Sequence, residues 1–79
     1  MKKMEFVNKL TEYCEFENQD LMLETQLKSI DGYDSLAIMT MMAFVDENFR
    51  IRITAKQIKE LTDFNSIISL IGEEKFEDD

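Results

Sequence analysis

One serine stands where its hydroxyl can be offered to another molecule, in the segment Gly32-Tyr33-Asp34-Ser35-Leu36. Asp34 is a good N-cap residue, because its carboxylate can accept hydrogen bonds from the free backbone N–H groups of a first helical turn. Ser35 then falls at about the first helical position, and its hydroxyl points into solvent beside the positive end of the helix dipole. A phosphate group is held favourably at such a place. We therefore expect the rest of the chain to be a scaffold that presents Ser35.

Ser35 has no evident general base in this sequence. The chain contains no histidine, which removes Ser-His-Asp and Cys-His nucleophilic sites as they are usually built. It also removes zinc sites that use histidine, and the single cysteine, Cys14, cannot form an all-thiolate site. We therefore predict no catalytic residue and no metal site, and we expect that the chain is not an enzyme.

Length, charge and cysteine content limit the class of protein. A chain of 79 residues makes one small domain with a modest core. Its net charge of −8 argues against nucleic acid and anionic membranes as partners; it suits partners with basic surfaces, or simply keeps the chain soluble. With one cysteine, no signal-peptide pattern and no long apolar run, we expect a cytoplasmic protein. We also expect a monomer.

The apolar residues of the amino-terminal part recur at helical spacing and predict a first helix over residues 2–16. The predicted core-facing stripe consists of Met4, Val7, Leu10 and Cys14, flanked by Tyr13. We interpret Cys14 as a small buried apolar residue. Residues 17–33 then form a long connection without a clean period, pinned across the helices by its apolar side chains, with a short helical turn near residues 20–23.

The second helix is predicted over residues 35–49 and has two apolar faces. The core-facing stripe consists of Ile38, Met42, Val45 and Phe49, widened by Met41. The other face carries Leu36, Met39 and Ala43, at spacing i, i+3, i+7. A helix with one buried face does not need this second stripe, which either packs on the long connection or stays exposed for a partner.

Asp46 and Glu47 make the carboxyl half of this helix acidic, which is the unfavourable end for negative charge. Such an arrangement is tolerated more easily if the two acids meet cationic groups on another protein. Simple solvation of the helix surface explains them equally well.

The carboxyl-terminal part of the chain predicts two shorter helices. Residues 50–54 alternate polar and apolar and read as an extended linker, with Ile51 or Ile53 turned inward. Thr54 is a candidate N-cap for a helix over residues 55–61. Asp63 or Asn65 can cap a last helix over residues 66–71, which Gly72 would end. The inward-facing side chains of these helices are expected to be Ile58, Leu61, Phe64, Ile67, Ile68 and Ile71.

The predicted fold class is all-α. It is a small four-helix bundle, with three main helices plus one short helix and a long loop between the first and second helices. We assign residues 1–72 to the domain. Residues 73–79 are predicted to form an acidic, frayed tail.

In this outline the chain resembles the acyl carrier protein family, over nearly its whole length and most clearly over residues 27–71. The resemblance rests on Gly32-Tyr33-Asp34-Ser35-Leu36, on Asp46-Glu47-Asn48-Phe49 one helix length later, and on Ile53-Thr54 before the third helix. Asp-Ser-Leu alone is a weak signal. Its placement at a helix start, in an acidic domain of carrier size, makes the resemblance specific.

The resemblance implies that Ser35 is the attachment site of 4′-phosphopantetheine, transferred from coenzyme A by a separate phosphopantetheinyl transferase. Acyl groups would be carried as thioesters on the thiol of that arm. They would be delivered to acyl-loading and acyl-processing enzymes of fatty-acid, polyketide or another specialised acyl pathway. Asp34 matches the aspartate before the modified serine, and the resemblance implies that it caps the helix and is recognised by the transferase.

The resemblance also implies a partner interface on the second helix. Leu36 and Met39 match apolar positions that contact partner enzymes, and Ala43 extends the same stripe. Asp46 and Glu47 match acids that pair with basic docking surfaces. Such a carrier would act as a standalone, helical and acidic protein of lipid metabolism in the cytoplasm.

The chain departs from fatty-acid-type carriers in the amino half of this helix, where Ala37 and Thr40 occupy positions that are often acidic in those relatives. Service to general fatty-acid synthesis and service to a dedicated pathway both stay open. An aminoacyl or peptidyl carrier, loaded by an adenylating ligase, is the alternative within the same fold. An unmodified docking module that uses Leu36, Met39 and Ala43 is an alternative outside it.

Overall fold

The structure is a computed structural model and describes residues 1–16 and 20–77. This part of the chain contains four α-helices: α1 (Lys3–Tyr13), α2 (Ser35–Phe49), α3 (Ala55–Lys59) and α4 (Phe64–Ile71). Two 3-10 turns, Leu27–Ser29 and Glu73–Lys75, lie before α2 and after α4. The described residues form no strand, so the prediction of an all-α fold is confirmed. None of their helices has the length and apolar character needed to cross a membrane.

Three of the helices begin at side chains that bond the first turn. The Ala37 amide donates to the Asp34 carboxylate at 2.9 Å, and the Ser66 amide donates to the Asp63 carboxylate at 2.9 Å. At α3 the Thr54 hydroxyl accepts from the Gln57 amide at 3.1 Å. These bonds satisfy N–H groups that would otherwise lack partners, and they confirm the predicted N-caps.

The predicted helix bounds are correct for α2 and shifted by one to three residues elsewhere. The first helix begins one residue later and ends three residues earlier than predicted. The third helix ends at Lys59 rather than at residue 61, and the fourth begins at Phe64 rather than at residue 66. The chain leaves α4 at Gly72, whose φ of +118° suits a residue without a side chain.

The core lies between the helices and is wholly apolar among the described residues. Its fully buried side chains, by decreasing volume, are Phe6, Phe64, Leu10, Leu27, Met41, Ile58, Ile67, Ile68, Val7 and Val45. The predicted inward face of α4 is confirmed. The predicted stripes of α1 and α2 need correction, because Met4, Cys14, Met42 and Phe49 are only half-buried, whereas Phe6 and Phe44 are buried.

The connection between α1 and α2 is tied to the carboxyl-terminal helices by its backbone. The Leu27 amide donates to the Thr62 carbonyl at 2.8 Å, and the Asn65 amide donates to the Leu23 carbonyl at 3.2 Å. The helical turn expected near residues 20–23 instead lies at Leu27–Ser29. Part of the predicted loop, residues 17–19, lies outside the described residues.

The prediction of a frayed tail from residue 73 is wrong as far as residue 77. Glu73–Lys75 forms a turn, and the Phe76 side chain is 8 % exposed. The centroid of its ring lies 5.3 Å from that of Phe6 in an edge-to-face contact, a favourable geometry for an aromatic pair. Residues 78–79 lie outside the described part.

Candidate functional site

Ser35 is the first residue of α2, and its side chain is exposed to solvent. Two features of the preceding segment place it there: Gly32 turns the chain with a φ of +86°, and Asp34 takes an extended conformation. The buried Ile30 anchors this segment, and its carbonyl accepts a hydrogen bond from the Tyr33 amide at 3.1 Å. No described residue hydrogen-bonds the Ser35 hydroxyl, which is therefore free to meet another molecule.

The backbone around Ser35 provides a positive end for an anionic group. Asp34 holds the Ala37 amide with its carboxylate and the Ile38 amide with its carbonyl, at 2.9 Å and 3.0 Å. The amides of Ser35 and Leu36 have no acceptor among the described residues. Because α2 is 15 residues long, its dipole adds to these two outward N–H groups. A phosphate on the Ser35 hydroxyl would lie next to them.

An exposed apolar stripe runs along α2 from Ser35. Leu36 is 71 % exposed and Met39 is 64 % exposed, and Ala43 is exposed one turn further on. The sequence left two alternatives for this second apolar face: packing against the connection between α1 and α2, or exposure to solvent. In the structure the face is exposed. We call Leu36, Met39 and Ala43 the apolar stripe.

Beside the apolar stripe, a groove of about 510 Å³ separates α2 from the segment that leads into α3. It is lined by Met39, Met42, Ala43, Asp46, Arg52, Ile53, Thr54 and Ala55. The lining is mainly apolar, and Asp46 and Arg52 are its two charged residues. The sequence interpretation missed this groove, because it placed Met42 in the core-facing stripe, whereas Met42 is half-buried and lines the groove.

Asp46 and Glu47 are both exposed but face different grooves. Asp46 lines the groove beside α3, whereas Glu47 lines a second groove of about 480 Å³ beside α1. There the Glu47 carboxylate accepts a hydrogen bond from the Tyr13 hydroxyl at 2.8 Å. This bond to a carboxylate raises the pKa of Tyr13 above its usual value. The structure therefore does not bring the two predicted partner acids together into one patch.

Ala37 is buried, with 4 % of its surface exposed, and therefore cannot belong to an uncharged docking face. Thr40 is half-buried, and its hydroxyl donates to the Leu36 carbonyl at 2.9 Å within the same helix. Of these two uncharged positions, only Thr40 therefore contributes to the surface of α2.

Cys14 lies half-buried behind α2, with its sulfur 3.9 Å from the Ala37 carbonyl oxygen. Burial raises the pKa of its thiol to about 11. A thiol that stays protonated at neutral pH is a poor nucleophile. The structure therefore agrees with the interpretation of Cys14 as a packing residue.

The chain matches no protein-family model. Comparisons with curated proteins and with solved structures also returned no significant match. The functional interpretation therefore depends on the residues and geometry around Ser35.

Proposed function

We propose that the chain is a carrier that holds acyl intermediates as thioesters on a 4′-phosphopantetheine arm attached to Ser35. The observation that carries this proposal is the free, exposed hydroxyl of Ser35 at the first position of a long helix, beside an exposed apolar stripe. A hydroxyl so placed is open to an enzyme that modifies it. No other described serine combines exposure, a helix start and an apolar stripe.

The residues around Ser35 fit the proposed group. In the transfer, the Ser35 oxygen forms a bond to the phosphorus that bears pantetheine in coenzyme A, the pyrophosphate bond breaks, and adenosine 3′,5′-bisphosphate leaves. The separate transferase takes the hydroxyl proton, so the absence of a base near Ser35 is no obstacle. The amides of Ser35 and Leu36 could donate hydrogen bonds to the resulting phosphodiester.

Asp34 has a structural task in the proposed function, because its carboxylate fixes the start of α2 and so the position of the Ser35 hydroxyl. The carboxylate is also exposed, which leaves it open to contact by the transferase. We assign both capping and transferase recognition to this residue.

The surface beside Ser35 supports delivery of cargo to partner enzymes. Leu36 and Met39 together expose two large apolar side chains within one turn of the attachment point, where a partner would cover them. Asp46, which lines the groove and is exposed, can pair with a cation of a partner that has a basic docking surface. The mainly apolar groove is also more suitable for an acyl chain than for a charged aminoacyl group.

The test is incubation of the purified chain with coenzyme A and a transferase of broad specificity, followed by measurement of the intact mass. We expect a gain of one phosphopantetheinyl group, and no gain for Ser35→Ala. Ser69→Ala is the matched control, since Ser69 is an exposed serine on α4. It should be modified like the unsubstituted chain. Absence of any gain in the unsubstituted, folded chain would contradict the proposal.

A further inference from the structure

A basic segment interrupts the acidic surface of this chain. Residues 50–59 contain four of its nine lysines and arginines and no acidic residue, although the whole chain has a net charge of −8. All four cations, Arg50, Arg52, Lys56 and Lys59, are exposed. We call these four side chains the basic strip.

The basic strip forms no ion pair with the described residues. The ion pairs of this part of the chain are those of Lys3 with Glu73, Lys9 with Glu5, and the amino terminus with Glu77. Arg50 takes a left-handed conformation at the end of α2, where its positive charge interacts favourably with the negative end of the helix dipole. Arg52, Lys56 and Lys59 form no ion pair with the described residues. None of them lies at the end of a helix as long as α2, whose dipole could favour a positive charge.

The strip adjoins the groove beside α2. Arg52 lines that groove together with the exposed Met39, and Asp46 lies on its α2 side. Lys56 and Lys59 are three residues apart on α3 and therefore share one face of that helix. The groove lining thus combines apolar side chains with one acid and one cation, and the other three exposed cations lie within seven residues of Arg52 along the chain. Apolar surface next to charges of known sign is what a docking surface with a defined orientation requires.

We propose that the basic strip is a docking surface for a carboxylate-rich patch of a protein partner, with Met39 and the groove as the apolar centre of the contact. This inference is independent of modification at Ser35. An extended polyanion fits less well, because residues 60–79 carry seven acids and one lysine and would repel a nucleic acid or an anionic membrane lying along the surface. A protein surface can place carboxylates locally against the strip and other groups elsewhere.

The test uses the unsubstituted, ¹⁵N-labelled chain and a synthetic peptide of about twelve residues that alternates glutamate with leucine. Amide resonances are followed during titration at low salt. We expect shifts concentrated in residues 50–59 and at the groove, and an affinity that weakens as salt is added. Shifts spread evenly over the molecule would overturn the proposal. So would tighter binding at this strip of a single-stranded RNA or of phosphatidylserine vesicles.

Matched variants separate the strip from net charge. Arg52→Glu with Lys56→Glu should weaken peptide binding at least tenfold. Lys28→Glu with Lys75→Glu makes the same change in net charge at exposed positions outside the strip, and should weaken it by less than threefold. Equal losses in the two double variants would overturn the proposal. Arg52→Gln with Lys56→Gln removes the two charges without adding repulsion. Should the charge reversal disturb folding, the peptide affinity of this neutral double variant tests the same prediction.

Discussion

At the carboxyl end of α2, Phe49 packs against Phe6 and Phe76, with ring centroids 6.0 Å and 5.2 Å away, whereas at the amino end Ser35 and Leu36 stand in solvent. We call Phe6, Phe44, Phe49 and Phe76 the aromatic end, and Ser35, Leu36 and Met39 the serine end. The aromatic end joins α1, α2 and the carboxyl-terminal segment. The serine end contacts water and is held by one side-chain cap.

The difference shows where this small domain buries apolar surface and where it leaves apolar surface exposed. Burial of aromatic rings contributes most to a core of this size, so the aromatic end should dominate the free energy of unfolding. Exposed apolar side chains contribute little to folding, and their cost is tolerated where a partner covers them. Substitutions at the two ends should therefore separate stability from binding.

The largest effect on stability is expected for Phe6→Ala. Phe6 is fully buried and contacts three other aromatic rings, so its loss should reduce the free energy of unfolding by about 3–5 kcal/mol. Leu36→Ala, at the serine end, should change it by no more than about 0.5 kcal/mol. Urea denaturation followed by circular dichroism measures both. Similar losses for the two variants would remove the distinction between the ends.

Phe76→Ala tests whether the carboxyl-terminal segment belongs to the aromatic end. Phe76 is nearly buried against Phe6 and Phe49, and we expect a loss of about 1.5–3 kcal/mol in the free energy of unfolding. Phe76→Leu keeps an apolar side chain and should lose less. If removal of the ring left stability unchanged, the tail would be as loose as its acidic sequence suggests.

Asp34→Ala tests the single cap of the serine end. Loss of the bond to the Ala37 amide should cost about 0.5–2 kcal/mol, and modification of Ser35 should slow. Asp34→Asn retains a capping side chain but not the charge, and should keep most of the stability. Slow modification of this second variant would locate transferase recognition in the carboxylate; unaltered modification of both variants would refute recognition.

The smallest effect concerns Cys14, whose sulfur lies beside the Ala37 carbonyl in the first turn of α2. Because burial raises its pKa to about 11 from an ordinary value near 9, thiol alkylation at pH 8 should be roughly tenfold to a hundredfold slower in the folded chain than in denaturant. Since the folded state favours the protonated thiol, its contribution to stability is present below pH 9 and declines towards pH 11. Equal alkylation rates in folded and unfolded chains would show that Cys14 is accessible.

Local chemistry predicted the serine end well. Asp34 is a clear N-cap, and the apolar residues after it predicted a helix over residues 35–49. The observed helix, Ser35–Phe49, has the same bounds. Thr54 and Asp63 similarly predicted the starts of α3 and α4 to within two residues. A capping bond involves residues three apart, so a short stretch of sequence contains the information.

The aromatic end was predicted poorly, because its contacts join distant residues. Phe6 was not predicted as a core residue, because Met4, Val7 and Leu10 already form an apolar stripe at helical spacing. Apolar residues on neighbouring faces of α1 leave more than one choice of buried face. In α2 nine of the ten residues 36–45 are apolar, so the sequence alone does not single out Phe44, which contacts the rings of Phe6 and Tyr13 on α1. Phe76 is the single apolar residue of the acidic segment 73–79, and no feature of the neighbouring sequence indicates that it packs against Phe6.

The groove and the separation of the two acids depend in the same way on tertiary structure. Asp46 and Glu47 are neighbours in sequence, but a helix turns by about 100° per residue and so directs them to different sides. The Tyr13 hydroxyl, 34 residues away in the sequence, donates a hydrogen bond to the Glu47 carboxylate. The position of α3, which closes the other groove against Asp46, could not be read from residues 50–54 alone.

The most direct test of the central claim is the intact mass of the full-length chain isolated from its native host, with the modified peptide located by fragmentation. The carrier proposal predicts one phosphopantetheinyl group on Ser35, with an additional acyl mass that hydroxylamine releases as expected for a thioester. A chain that accumulates in the folded state with an unmodified Ser35, in cells that contain an active phosphopantetheinyl transferase, would contradict it.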